Sequence, residues 1–192
     1  MQEILIILIY SYLLGSIPFG LILTKAFTGK DIRNTGSGNI GATNVFRSSG
    51  KVLAVVTLLL DTLKGYLAVA ISINFFPEFT LLSSLIVFIG HIFPVWIKFK
   101  GGKGVATYLG ILLALNYYFF FIFILSWSII ILIFKYASLA SLTSALLIFL
   151  FNVYLNGISQ SYSFLLFLLL IIYSHKDNIV RLKAGSEKKI NL

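Results

Sequence analysis

Long apolar segments alternate with short polar connections along the whole chain. The apolar segments cover approximately residues 3–24, 52–75, 79–98, 104–116, 117–135, 138–155 and 160–175. Segments of this kind must be helical in a bilayer, because each unpaired backbone group in hydrocarbon costs several kcal/mol. A membrane-spanning helix needs about 17–25 mostly apolar residues, and only the fourth segment is clearly shorter. The pattern predicts an all-α integral membrane protein with seven transmembrane helices in a single polytopic domain over residues 1–192.

The composition supports a membrane protein. Hydrophobic residues make up 59% of the 192 residues and charged residues 11%, and the mean hydropathy is +1.00. One soluble core could not bury this much apolar surface. The first segment follows Glu3 without the basic stretch or cleavage site of a signal peptide, so we expect it to be retained as a span. The chain has no Cys, which excludes disulfides and thiol catalysis.

The distribution of positive charges along the chain distinguishes between two possible topologies. The fourth and fifth segments meet at "LNYYF", so a six-span arrangement that fuses them is the main alternative. With seven spans, fourteen of the fifteen Lys and Arg residues fall on one side of the membrane. Basic connections stay in the cytoplasm, which predicts an outside N-terminus and a cytoplasmic C-terminus. The net charge of +9 is then first a topology signal, and second an indication of an anionic partner.

Two opposite charges lie inside the second apolar segment. Asp61 and Lys64 are three residues apart, which places them on one helix face, where an ion pair lowers the cost of either charge in the bilayer. The pair is expected to be structural, with a role in orienting site residues as the alternative. His91 lies at helical depth among aromatic residues, and we expect a core histidine more than a catalytic one.

A polar stretch, "GSGNIGATN", lies in the longest predicted cytoplasmic connection. Glycines allow positive φ and close backbone approach, and short polar side chains beside an arginine supply hydrogen-bond donors. This chemistry suits a nest for a phosphate, although a flexible polar loop is the alternative. The residues concerned are Gly36, Ser37, Gly38, Asn39, Gly41, Thr43, Asn44 and Arg47, with Arg33 before them.

Two further stretches on the same predicted side carry similar chemistry. In "GHIFPVWIKFKGGKGVAT", Gly101, Gly102 and Gly104 surround Lys103 just before the fourth segment, so a phosphate could meet loop amides, a helix N-terminus and an ammonium group. Lys98 and Lys100 could instead anchor lipid head groups. In "HKDNIVRLKAGSEKK", His175, Asn178 and Arg181 follow helical spacing. Three such stretches suit two anionic head groups better than one.

These stretches closely resemble the motifs of the bacterial acyl-phosphate-dependent glycerol-3-phosphate acyltransferases, the PlsY type. The resemblance spans the chain from "GSIPFG" through the three stretches to "GSE". We call residues 33–47, 90–107 and 175–187 the first, second and third motifs. The resemblance implies a seven-helix enzyme of the bacterial plasma membrane, with its site on the cytoplasmic face. It would move an acyl group from long-chain acyl phosphate to glycerol 3-phosphate and make lysophosphatidic acid.

The resemblance also implies roles for individual residues. The catalytic set that would hold phosphate oxygens is Ser37, Arg47, Lys103, His175 and Asn178. The surrounding phosphate-binding set is Gly36, Gly38, Asn39, Gly41, Thr43, Asn44, Gly101, Gly102, Gly104 and Thr107. Supporting roles fall to Asp61, Lys64, His91, Arg181 and Glu187, the last two bracing the tail.

The expected partners are the two substrates and membrane lipids. No metal ion, other cofactor or nucleic acid is expected, and a monomer is compatible with the sequence. No His has an Asp five residues later, so His175, Asp177 and the substrate's own phosphate remain candidate bases. An acyl-thioester donor and a small anion transporter are the alternative functions.

Overall fold

A computed structural model describes residues 1–190 of the chain. The described chain folds as ten α-helices with four short 3-10 turns. The helices are α1 (Gln2–Ser16), α2 (Phe19–Thr28), α3 (Ala42–Ser49), α4 (Lys51–Phe75), α5 (Thr80–Ile92), α6 (Val105–Leu115), α7 (Tyr117–Phe134), α8 (Ala137–Asn156), α9 (Tyr162–Ser174) and α10 (Lys176–Lys183). They form two compact units, Met1–Leu115 and Asn116–Leu192.

Every predicted apolar segment contains a helix, but not every helix is long enough to cross a bilayer. Within residues 1–190, five spans qualify by length and composition, and the bent pair α9 and α10 would make a sixth. The eleven residues of α6 extend only about 16 Å, against a hydrocarbon core of about 30 Å. The all-helical membrane fold is therefore confirmed, while seven crossings and the side of each terminus stay predictions.

The first span is broken at Pro18. Because proline has no backbone N–H, α1 ends at Ser16 and α2 begins at Phe19. Pro94 differs, because α5 already ends at Ile92 and Pro94 precedes a 3-10 turn rather than bending a helix.

Glycines let the helices of the first unit touch backbone to backbone. A Cβ on Gly15 of α1 would collide with the Val87 backbone of α5, and one on Gly90 of α5 with the Tyr12 carbonyl of α1. The same reciprocal arrangement joins α4 and α6: Gly65 faces the Thr107 carbonyl, and Gly110 faces the Thr62 carbonyl. Small residues permit such close packing where lipid removes the hydrophobic drive for association.

The second unit is held by serine hydrogen bonds between α7 and α8. Ser126 Oγ donates to Ser144 Oγ at 2.9 Å, and Trp127 Nε1 donates to Ser141 Oγ at 3.1 Å. Ser141 and Ser144 lie in the small-residue stretch "ASLASLTSALL", and both are buried.

Candidate functional site

The first motif is a loop shaped by one buried side chain, Asn44. Its Oδ1 accepts from the Ser37 amide at 2.8 Å. Its Nδ2 donates to the carbonyls of Ile32, Thr35 and Asn39 at 3.2, 3.0 and 2.8 Å. The side-chain amide is therefore fully engaged with the loop backbone. In this structure Asn44 sets the shape of the loop that carries the exposed Ser37.

Positive φ occurs in this loop where the glycines predicted it. Gly36 has φ +60° and Gly38 has φ +72°, values that side chains disfavour. A Cβ on Gly36 would also collide with the Asn44 carboxamide oxygen. Gly41 instead has φ −77° and precedes α3. We expected this stretch to be a connection without a helix. The structure instead contains α3, which carries Thr43, Asn44 and the exposed Arg47.

Arg33 is paired locally. Its guanidinium donates to the Asp31 carboxylate at 2.6 Å, and this hydrogen bond lowers the pKa of Asp31 to about 2. The charge of Arg33 is thus largely balanced by Asp31 within the loop.

The second motif folds back onto the end of α5. The amides of Gly101 and Gly102 donate to the carbonyls of Ile92 and His91 at 3.0 and 3.1 Å. These bonds satisfy carbonyls at a helix end, which would otherwise lack partners. Gly104 has φ +81° and lies so close to the Phe88 ring that a Cβ would collide with it. The half-buried Lys103 lies between these closely packed glycines.

A hydrophobic cluster joins the first two motifs within the first unit. Ile97, from the 3-10 turn of the second motif, packs with Ile40 and Val45 of the first motif, and the same cluster includes Ile32 just before that motif and Ala54 of α4. The two glycine-rich loops therefore share one core. Such neighbouring loops, with a serine, an arginine and a lysine, can hold phosphate oxygens.

Charged and polar side chains are buried behind the second motif. Lys64 Nζ lies 2.7 Å from Asp61 Oδ1, and His91 Nδ1 lies 3.7 Å from that oxygen. The predicted ion pair is confirmed, with both side chains at most 3% exposed. Thr107, at the start of α6, is fully buried, and its hydroxyl has no hydrogen-bond partner within the part of the chain described here.

The third motif begins at a bend in the second unit. α9 and α10 meet at 63°, and His175 occupies the corner between them. Its Nδ1 lies 2.8 Å from the Ile171 carbonyl. Since a carbonyl oxygen only accepts, Nδ1 carries the proton, and a neutral His175 has its lone pair on Nε2. The ring is 1% exposed and held in orientation by its own helix.

Glu187 joins three parts of the second unit. Its Oε1 accepts from Asn178 at 2.5 Å and from Ser138 of α8 at 2.8 Å, and its Oε2 accepts from Arg181 at 2.7 Å. Burial would raise the pKa of this carboxyl, but the three hydrogen bonds outweigh burial and hold the pKa below its ordinary value. The expected bracing by Arg181 and Glu187 is seen as direct contact, and no sequence pattern indicated Ser138.

The comparisons with known proteins agree with this chemistry. Residues 5–185 match the family model for glycerol-3-phosphate acyltransferase. A glycerol-3-phosphate acyltransferase of Pelagibacter ubique is 47% identical over 100% of both chains. One of Ehrlichia canis is 51% identical over 96% of this chain and 97% of the relative.

Solved structures extend the similarity to the fold. The integral membrane glycerol 3-phosphate acyltransferase PlsY (YgiH), in its glycerol 3-phosphate form, is 39% identical, with a TM-score of 0.93 over 98% of this chain and 96% of that one. Its lysophosphatidic acid form is 37% identical, with a TM-score of 0.90 over the same shares. The resemblance inferred from the three motifs is thereby confirmed: the chain belongs to the PlsY family of integral membrane glycerol-3-phosphate acyltransferases.

Proposed function

We propose that this acyltransferase moves a fatty acyl group from acyl phosphate to the 1-hydroxyl of glycerol 3-phosphate. The products are lysophosphatidic acid and inorganic phosphate, in the first acylation step of phospholipid synthesis. The observation that carries the proposal is the pair of glycine-rich loops that share one hydrophobic cluster in the first unit. This shared packing supports a common phosphate-binding site that includes Ser37, Arg47 and Lys103.

The donor is chosen on chemical grounds. Acyl phosphate is a mixed anhydride whose leaving group is already a stabilised anion, so its site needs cations and N–H donors more than a strong general acid. The substrate hydroxyl oxygen bonds to the acyl carbon, the bond from that carbon to the phosphate oxygen breaks, and phosphate leaves. Arg47 and Lys103 hold the phosphate oxygens while Asn39 and Thr43 line the loop.

The hydroxyl proton goes to the phosphate of glycerol 3-phosphate in this scheme. A phosphate monoester is largely dianionic near pH 7 and is tethered close to its own hydroxyl. His175 and Asn178 then position phosphate, and no protein base is obligatory. His175→Gln, which keeps a donor, should weaken glycerol 3-phosphate use without abolishing turnover, and Asp177→Asn should be mild. A fall of about 10⁴ in kcat for either, with binding intact, would make that residue the base instead.

A donor assay tests the reaction itself. Purified protein in detergent receives glycerol 3-phosphate with either acyl phosphate or acyl-CoA, and the release of lysophosphatidic acid is measured. We expect turnover with acyl phosphate and at most trace turnover with acyl-CoA. Equal or preferred use of acyl-CoA would replace the donor assignment, and no acylation from either donor would overturn the proposed function.

The site is proposed to face the cytoplasm of a bacterial plasma membrane. Single Cys residues at Gly38, Gly102 and Ser186, introduced into a chain without Cys, should react with impermeant label from the cytoplasmic side. Labelling of position 102 only from outside would remove the common cytoplasmic site.

A further inference from the structure

We propose that His91, supported by the Asp61–Lys64 ion pair, is a positioning residue for the second-motif loop and sets the affinity for glycerol 3-phosphate. The inference rests on the proposed function in taking that substrate as the anion the loop binds. It assigns His91 no proton transfer and no contact with substrate.

His91 holds Gly102 at two points. The backbone carbonyl of His91 accepts from the Gly102 amide at 3.1 Å. The imidazole lies against the α-carbon of the same glycine, since a Cβ there would collide with Nε2. The ring is 3% exposed, so no solvent layer separates it from the loop. Gly102 therefore packs directly against His91, and Lys103 is the next residue in the chain.

The other edge of the imidazole faces the ion pair. His91 Nδ1 lies 3.7 Å from Asp61 Oδ1, and Lys64 Nζ lies 2.7 Å from that oxygen. Lys64 also donates to the Ile17 carbonyl at 2.8 Å, at the Pro18 break between α1 and α2. Contacts thus run from the broken first span through α4 to the His91 ring and then to Gly102.

This arrangement explains two buried charges that the proposed reaction does not use. A buried ion pair is weak evidence for stability, because apolar residues of similar volume often serve as well. Within a membrane domain, ionisable residues are rare and usually functional. Here the Asp61 carboxylate lies 3.7 Å from the imidazole, close enough for an electrostatic contact but not for a hydrogen bond, and the imidazole limits how far Gly102 can move. A loop shift of about 1 Å is enough to spoil the alignment of phosphate donors.

A double-mutant cycle tests the contact between His91 and Gly102. His91→Ala removes the ring, and Gly102→Ala places a Cβ where the ring was. We expect each single variant to raise the KM and Kd for glycerol 3-phosphate about 10-fold or more, with kcat within about 3-fold of wild type. In the double variant the new Cβ has room, so its KM and Kd should not exceed those of His91→Ala.

Gly101→Ala is the matched control. Its Cβ would collide with the carbonyls of His91 and Ile92 and with Pro94, and the two carbonyls remain after His91→Ala. Its defect should therefore multiply with that of His91→Ala rather than be relieved. His91→Asn is a second ring-deleting variant, measured in parallel in case His91→Ala extracts poorly.

Binding and turnover are measured separately, by calorimetry with glycerol 3-phosphate and by product release. Wild-type Kd and KM in both ring-deleting variants would overturn the inference. So would a fall in kcat at unchanged KM, which would place His91 in the chemistry, or independent defects of His91→Ala and Gly102→Ala. A wild type that binds glycerol 3-phosphate without acylating it would refute the proposed reaction, while the calorimetric cycle would still decide the role of His91.

Discussion

Replacing Asp61 with alanine should destabilise the protein by stranding Lys64. The two side chains are 2.7 Å apart and nearly inaccessible, at 3% and 2% exposure. Without the carboxylate, Lys64 Nζ keeps the Ile17 carbonyl as a partner and the Phe19 ring, whose centre is 5.6 Å away. Neither carries a full negative charge, so the ammonium group remains buried without compensation.

The expected loss follows from what uncompensated burial costs. Breaking a buried ion pair by removing one partner lowers the free energy of unfolding by about 3–5 kcal/mol. For a chain of this length, 1 kcal/mol changes Tm by about 2–4 °C. Asp61→Ala should therefore melt roughly 6–20 °C below wild type.

The assay is thermal unfolding of purified protein in detergent. The control is the double replacement Asp61→Leu with Lys64→Met, which removes both charges at similar volume. It should recover most of the lost Tm, because what stays missing is the bond to Ile17, worth about 1 kcal/mol, and the contact of the ammonium group with the Phe19 ring. An Asp61→Ala protein within about 2 °C of wild type, or a double variant no more stable than Asp61→Ala, would refute the reasoning.

Three further predictions concern the motifs. Arg47→Ala and Lys103→Ala should each lower kcat/KM about 100-fold or more in the acylation assay while keeping a near-wild-type Tm. The control Lys100→Ala should stay within a few-fold of the wild-type kcat/KM, and equal losses in all three variants would contradict a special role for Arg47 and Lys103. Asn44→Ala should lower the free energy of unfolding by about 1–3 kcal/mol, seen as a lower Tm, because four backbone groups lose their partner. Asn44→Asp should not restore the Tm, since carboxylate oxygens cannot donate hydrogen bonds to the loop carbonyls. The stability that Glu187 contributes is complete above its ordinary carboxyl pKa of 4.5 and is lost as pH falls through its lowered pKa. Below about pH 4.5 the Tm of Glu187→Gln should therefore vary less with pH than the Tm of wild type. Parallel curves of Tm against pH would contradict this.

Features that depend on apolar segment length, on helical spacing or on the φ freedom of glycine could be predicted from the sequence. Continuous apolar segments predicted the helices because lipid leaves no other backbone solution. The spacing of Asp61 and Lys64 predicted their contact, since residues three apart share a helix face. Positive φ at Gly36 and Gly38 followed from the absence of a side chain. In each case neighbours in the chain determine the geometry.

Contacts between distant segments could not be predicted in this way. Ser138 and Glu187 are 49 residues apart, and nothing near either residue indicates that they meet. The approach of the His91 ring to Gly102 depends on how the chain reverses after Pro94. Helix α3 was missed because its eight residues have weak apolar content and follow a glycine-rich loop. Such features depend on the packing of the whole unit.

The reciprocal glycine contacts hold the two helices that flank the second-motif loop close against their neighbours. That loop leaves α5, which meets α1 backbone to backbone, and enters α6, which meets α4 in the same way. At these glycines the nearest atoms of the partner helix belong to its backbone, so no change of rotamer can make room for an added methyl group. A methyl group added at Gly90 or Gly65 must separate two helices and move one end of the loop with them. Glycines within the helices thus limit how far either end of the second-motif loop can move.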